Sequence, residues 1–533
     1  MRKILGFSLG FIGFVLPFIF KFEGLSFAGH IGLSIFLLAA MFWLFEPIPI
    51  YGTSLLVISL GVLLLSSQGV LYMNSSLPTV DLIQKGNNIY QIPRKALTNK
   101  NEIYLINDKK ETTLIKVEIV EENESSVIIK AENLSSTKIC SNVEHKLVGY
   151  KPNSYTEYFY SLANSIIMLF LGGLLLADAA TKYNLDKNIT RAILKPFGYK
   201  PSMITLGLLS VTAIVSAFMS NTAATAMMMT VVLPIIAQLE FDDPFKKAVV
   251  LAIPFGANLG GIATPVGTPP NAVVLAALSK QNIFIPFGTW LALALPLVII
   301  MVLFAWWLML KTFPPKIDKF ELKMTGSFDK SSKAITLYVI FIITVLLWTT
   351  EALHGISANM VAFFTVTALV ITNVVDVKDI RNIPWEVLWL VAGGIAMDII
   401  MRNTGLGNWL VSRVAWTHLG SMGVLIAFAL VGIILSTFLS HTVTATILAP
   451  LAVGIGVAGN LGEGFSVSLG AVVLGIATSF AMALPISTPP NAIAVSTGLI
   501  DTKGMLKVGL PIGIVGIILM LIFAKFYWPL ILN

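Results

Sequence analysis

The chain has 533 residues, a formal charge of +7, 56% hydrophobic and only 12% charged residues, with a mean hydropathy of +0.85. A soluble protein carries roughly twice that charged fraction, so a soluble fold is excluded and an all-α polytopic membrane protein is indicated. The basic residues gather in short loops, which marks orientation in a bilayer and not nucleic-acid binding. The single cysteine, Cys140, excludes an intrachain disulfide and makes Cys-based metal ligation implausible.

Taken in order, apolar runs at 5–20, 30–45 and 51–72 are each long enough to cross a hydrocarbon core of about 30 Å. The first follows Met1-Arg2-Lys3 but closes on no clear cleavage site, so it reads as a span and not a signal peptide. Glu46-Pro47-Ile48-Pro49 ends the second run, because the prolines stop a helix. Residues 1–72 thus form a first membrane block, which hands the chain to the outer face if Arg2 and Lys3 stay inside.

Residues 73–158 break the pattern, with eleven basic and eleven acidic residues. Alternation over 112–120 and 126–130 predicts two strands in a hairpin around Glu121-Glu122-Asn123-Glu124. The segment reads as a β-containing, extracytoplasmic insert with Cys140 as its natural label. Its sequons at Asn74, Asn123 and Asn133 carry no weight in a bacterial protein, the expected source.

The remainder of the first copy is 159–330 and contains a polar-tipped hairpin, 202–238, and an interrupted span, 248–280. Loops 182–200 and 311–333 are basic and are expected inside. The second copy, 331–533, holds the hairpin 422–456 and the interrupted span 465–499.

The two copies repeat four polar words at one offset, 220 residues. Ser216-Ala217-Phe218-Met219-Ser220-Asn221-Thr222 answers Ser436-Thr437-Phe438-Leu439-Ser440-His441-Thr442. Thr264-Pro265-Val266-Gly267-Thr268-Pro269-Pro270-Asn271 answers Leu484-Pro485-Ile486-Ser487-Thr488-Pro489-Pro490-Asn491. Asp178 and Asp398, each after a Gly-Gly pair, share the offset, while Glu46 and Glu351 stand 305 apart because the insert lies between them. An odd number of crossings per copy would invert the second. The prolines force each helix open, which exposes carbonyls suited to Na⁺ and amides suited to an anion. None of the words contains Lys, Arg, Asp or Glu. His441, facing Asn221 in the repeat, either packs neutrally beside Ser440 and Thr444 or is a functional intramembrane ionisable group.

Together these words resemble the divalent anion/Na⁺ symporter family, carriers of di- and tricarboxylates and sulfate, over the whole membrane portion. The resemblance implies a homodimer of eleven-span protomers in a bacterial cytoplasmic membrane, with two inverted repeats, re-entrant hairpins, unwound helices and an elevator-type transport domain moving against a scaffold that includes 1–72. It implies a first sodium site at Ser216, Ser220, Asn221 and the backbone near Gly267, and a second at Ser436, Leu439, position 441 and the backbone near Ser487. The anion would lie between Ser220-Asn221-Thr222 and Ser440-His441-Thr442, closed by Thr268-Pro269 and Thr488-Pro489. His441 departs from the family's usual asparagine, which weakens the second sodium site. Na⁺-coupled C4-dicarboxylate transport without an organic cofactor is therefore expected. Sodium-independent or proton-coupled exchange and sulfate transport are the alternatives within the class. A membrane enzyme, a sensor and a channel are the alternatives outside it, and an enzyme would need an acidic partner for His441 that the words lack.

Overall fold

The computed structural model describes all residues except 1, 21, 74–77, 87, 99–100, 107–111, 124, 132–133, 135, 137, 143–149, 151, 237–238, 241–242, 318–328, 414–418, 459–465 and 533. The sequons at Asn74 and Asn133 and the basic residues Lys319 and Lys323 lie outside the described residues. The chain forms two compact units, Met1–Leu162 with Ile395–Ala415, and Ala163–Gly394 with Trp416–Asn533. Among the described residues, seven helices are long and apolar enough to cross a membrane, joined by shorter apolar helices.

In the first unit, helix Phe27–Phe45 starts on Ser26, whose hydroxyl accepts from Gly29 N at 3.0 Å. It stops at Glu46, which takes a left-handed φ of 49° just before Pro47. Helix Arg2–Ile19 lies against it, with the Phe7 ring edge-on to Phe42 at 5.5 Å. The third membrane helix, Ile50–Leu60, continues as a π turn over Gly61–Leu65.

The insert carries the β structure: β1 (Thr79–Asp81), β2 (Ile83–Gly86), β3 (Ile89–Pro93), β4 (Glu102–Ile106), β5 (Thr112–Lys116), β6 (Glu118–Glu122), β7 (Ser126–Lys130) and β8 (Lys138–Cys140). Two antiparallel sheets form, ordered β1-β8-β4-β5 and β2-β3-β7-β6, over a core that includes Ile92, Ile103, Val127, Ile129 and Ile139. The expected hairpin is corrected in one respect. Its first strand breaks at Val117, so that β6 pairs with β7 while β5 leaves to pair with β4. Val117 is buried at the corner, where one continuous strand could not serve both sheets. Cys140 is fully buried and donates to Asn142 O at 3.1 Å, and burial pushes its thiol up, so it is a poor label after all.

The second unit is built on two hairpins and two broken helices. The first hairpin pairs Pro201–Ser216 with Asn221–Ile236, and the first broken helix runs Phe245–Ile262 then Pro269–Ser279. The second set is Gly420–Phe438 with His441–Ala458, then Val467–Ser479 and Pro489–Ser496. Each hairpin packs on the broken helix of its own copy. The short halves cross over: Pro489–Ser496 packs on Phe245–Ile262 and Asn221–Ile236, and Pro269–Ser279 packs on Val467–Ser479 and His441–Ala458. The two copies are therefore interlocked, not side by side.

Close packing in the first copy depends on Gly256 and Gly260, one turn apart on the broken helix. A Cβ at Gly256 would stand 2.6 Å from Leu209 O, and one at Gly260 would stand 2.1 Å from Ala213 O. Backbone thus touches backbone, and no side-chain shift can relieve an added methyl. We expect Gly260→Ala to force these helices apart, costing about 1–3 kcal/mol, read as a lower melting temperature of the detergent-purified protein. Gly454→Ala, where a Cβ would meet nothing within 4 Å, should leave it unchanged.

Candidate functional site

Each break is held open by the last residue of its Thr-Pro-Pro-Asn word. Asn271 Nδ2 reaches back to the carbonyls of Gly261 (3.0 Å), Ile262 (3.4 Å) and Thr264 (2.8 Å). Asn491 Nδ2 does the same for Met482 O (3.1 Å) and Leu484 O (3.0 Å). Trp290 Nε1 adds a donor to Ile262 O at 3.0 Å. These carbonyls, expected to be free for a cation, are instead satisfied by protein donors, because an open backbone in hydrocarbon must find partners. Sequence reasoning placed Asn271 and Asn491 in polar words but did not assign this clamping role.

A hydroxyl also ties each break to the tip of its own hairpin. Thr264 Oγ1 donates to Ala217 O, and its oxygen accepts from Gly267 N at 3.1 Å. In the second copy Ser487 Oγ donates to Thr437 O at 2.9 Å. Ala217 and Thr437 are repeat equivalents, whereas Thr264 and Ser487 are not. The same link is made from different positions.

At the tips, Ser220 Oγ accepts from Ala223 N (3.1 Å) and Ser440 Oγ from Val443 N (3.2 Å), so each serine caps a return helix. Thr222 is exposed and Ser220, Ser440 and Thr442 are half-buried, with their polar groups reachable. Thr268 and Thr488 are the N-caps of the two short halves, with Pro269 and Pro489 at the first helical position. The four words thus supply four helix N-termini: those at Asn221 and His441 offer amides and dipole, whereas those at Pro269 and Pro489 start on two prolines without N–H and offer only the dipole and a threonine hydroxyl, all without fixed positive charge.

The first-copy cation candidates do come together. Asn221 and Ser216 Oγ are 2.6 Å apart, and the Asn221 amide, turned to meet its acceptors, donates to Ala257 O and Gly267 O at 3.1 Å. Gly261 is part of this fit, since a Cβ there would stand 2.4 Å from the Asn221 amide, too close for any side chain. In the second copy the arrangement differs. His441 is buried, and its Nε2 reaches Ala481 O at 2.8 Å, so Nε2 carries a proton and donates it there. The bond is not to Ser440 or Thr444, as local packing would have had it. Ser436 Oγ, equivalent to Ser216, is buried with no partner. Leu439 can contribute only backbone.

Asp178 and Asp398 are not among these groups. Asp398 Oδ2 accepts from Arg402 Nε at 3.0 Å. Lys182, the repeat equivalent of Arg402, is drawn instead to Asp379 (2.5 Å) and Asp376 (3.3 Å). Backbone amides of Lys378 and Asp379 hold the Asp376 carboxyl below the usual carboxylate range. One residue of the site went unnoticed in sequence: Asn258, a buried amide in the apolar helix Phe245–Ile262, joined to the second copy's Thr488 and Asn491. The signal was a lone amide inside a membrane-length helix, where polar groups are expensive.

Comparison with known proteins agrees with this architecture. Residues 113–533 match the sodium:sulfate symporter transmembrane region. An "uncharacterized transporter" of Haemophilus influenzae is 30% identical over 396 residues, covering 70% of this chain and 84% of its own. The sodium-dependent dicarboxylate transporter SdcS of Staphylococcus saprophyticus is 28% identical over 409 residues, covering 69% and 78%. The inorganic phosphate transporter PHO87 of Saccharomyces cerevisiae is 28% identical over 377 residues but is covered over only 40% of its length. Among solved structures, MtrF of Neisseria gonorrhoeae superposes with a TM-score of 0.51 at 11% identity, over 90% of this chain and 94% of its own, which speaks to fold alone. With its helical membrane part, paired broken helices and this family match over most of its length, the chain belongs to the sodium:sulfate symporter family and is a multi-pass membrane transporter, not an enzyme.

Proposed function

We propose that this transporter carries a small divalent anion, a C4-dicarboxylate such as succinate, together with Na⁺. The observation that carries the reading is the set of four uncharged helix N-termini, at Asn221, His441, Pro269 and Pro489, each with a hydroxyl residue beside it. Such a site favours an anion by dipoles and donors and leaves part of its charge to be met by a bound cation. SdcS, by its name a sodium-dependent dicarboxylate transporter, supports the substrate class and the ion.

The first copy suits Na⁺. The Asn221 amide nitrogen lies among three oxygens, Ser216 Oγ, Ala257 O and Gly267 O, the kind of ligand set that suits a small cation. When Na⁺ enters, the Asn221 side chain withdraws from these oxygens and turns its Oδ1 toward the ion, which then meets oxygens from Ser216, Asn221 and the Gly267 backbone, with Ser220 beside them. In the second copy the Nε2–H of His441 occupies Ala481 O, and Ser436 and Ser487 lack the amide oxygen that completes the first site. Na⁺ therefore binds at one site, and His441 Nδ1, the ring's lone pair, is available for a proton. The protomer works as an elevator with the insert on the outer face and the loops 182–200 and 311–333 inside, in a homodimer.

Uptake of labelled succinate into proteoliposomes should require an inward Na⁺ gradient, with sulfate competing weakly. Asn221→Ala should lower apparent affinity for both Na⁺ and succinate by about tenfold or more, the loss of one hydrogen bond to a charged group. Unchanged affinities in a well-expressed variant would refute the assignment. For the second site, we expect a Hill coefficient for Na⁺ near 1 in the wild type, rising in His441→Asn as the amide oxygen returns; a wild type that is already cooperative, with no change in the variant, would leave the histidine a packing residue. For topology, Val120→Cys in a Cys140→Ser background, at a site 54% exposed, should react with an impermeant maleimide in intact cells or spheroplasts. Reaction only after lysis would put the insert inside.

A further inference from the structure

We propose that Asn258 is a positioning residue that fixes the Thr488 hydroxyl as a hydrogen-bond donor toward the transported anion. The proposal rests on the reading of Thr488 as an anion contact. It follows from the order in which the amides must be oriented. Asn491 Nδ2 faces the carbonyls of Met482 and Leu484, which can only accept, so Asn491 must turn its Oδ1 away from them. That Oδ1 lies 3.1 Å from Asn258, which must therefore present Nδ2. The same Nδ2 lies 3.3 Å from Thr488 Oγ1.

Thr488 Oγ1 already accepts from the backbone N–H of Asn491 at 3.2 Å. A hydroxyl has two acceptor lone pairs and one proton. With both lone pairs facing donors, the one bond left to it is a donation, which an anion bound beside the helix N-terminus can accept. Asn258, Thr488 and Asn491 are all at least nine-tenths buried, so water does not compete freely for these bonds.

The device exists in one copy only. The repeat equivalent of Asn258 is Thr478, whose hydroxyl turns back to Gly475 O at 2.7 Å. The equivalent cap, Thr268, makes no side-chain capping bond, and Asn271 Oδ1 is buried without a partner. Asn258 also follows Ala257, whose carbonyl accepts from Asn221. One stretch of helix therefore touches the cation candidates of its own copy and the anion contact of the other.

A double-mutant cycle on the full chain in proteoliposomes tests this. Asn258→Thr copies the residue found at the equivalent crossing, Thr488→Val removes the hydroxyl while keeping shape, and the double variant combines them. Each single change should raise the KM for succinate about tenfold with the maximal rate held within about twofold, and the double should be no worse than Thr488→Val alone. Thr488→Ser should restore the wild-type KM. Asn258→Ser is run beside Asn258→Thr so that misfolding of one does not decide the result. Wild-type KM in the Asn258 variants, or losses that multiply to about a hundredfold in the double, would overturn the proposal. If the wild type carries sulfate or phosphate and no dicarboxylate, the substrate assignment fails and the same cycle is read on the anion carried. If it carries none of them, the anion-contact reading of Thr488 falls and this proposal falls with it.

Discussion

Backbone polar groups inside a membrane have no water to turn to, and the structure of the second unit depends on how that demand is met. A helix interrupted by Pro-Pro leaves carbonyls and amides unpaired at its centre. Here two asparagines, Asn271 and Asn491, return to the carbonyls on the far side of each break, and Trp290 adds a third donor. Because the carbonyl side is satisfied by protein, what each break presents is a helix N-terminus beginning on two prolines, at Pro269 and Pro489, with the positive end of its dipole and a capping threonine in place of free N–H groups. The clamps thus hold each helix open without a ligand.

The interlocking of the copies follows from the same breaks. A continuous helix would pack along its whole length within its own copy. Broken, each yields a short second half that crosses to the other copy's hairpin. Glycine supplies the close approach in the first copy, at Gly256 and Gly260. The equivalent positions in the second copy are Ile476 and Phe480, and the Phe480 ring lies where a Cβ at Gly516 of the last long helix would sit. Volume lost from one helix is gained in a neighbour, so the plan is repeated while the packing is redistributed.

Asymmetry is concentrated where the cations and the anion would be read. Asn221 reaches its hairpin serine and two carbonyls, whereas His441 is longer, overshoots to Ala481 O and strands Ser436. Asn258 spans the copies where Thr478 cannot. Two copies of one sequence plan have diverged into one half with an amide at its hairpin tip and another with an imidazole there and a threonine cap that accepts two hydrogen bonds.

The sequence by itself determined the membrane class, the insert, the offset of 220 and the identity of the four polar words, because hydropathy and repetition are local or periodic properties. It also marked Asn221 and His441 as unequal. It could not determine what each polar group touches. Asn271 and Asn491 were legible as polar, yet whether an amide clamps a carbonyl or meets a ligand depends on which backbone lies within 3 Å or so of it. The strand break at Val117, the burial of Cys140 and the bond from Asn258 to Thr488 all join residues distant in sequence or turn on which sheet takes a strand. Those pairings belong to tertiary structure, since hydrogen-bond partners are chosen by position in space and not by spacing along the chain.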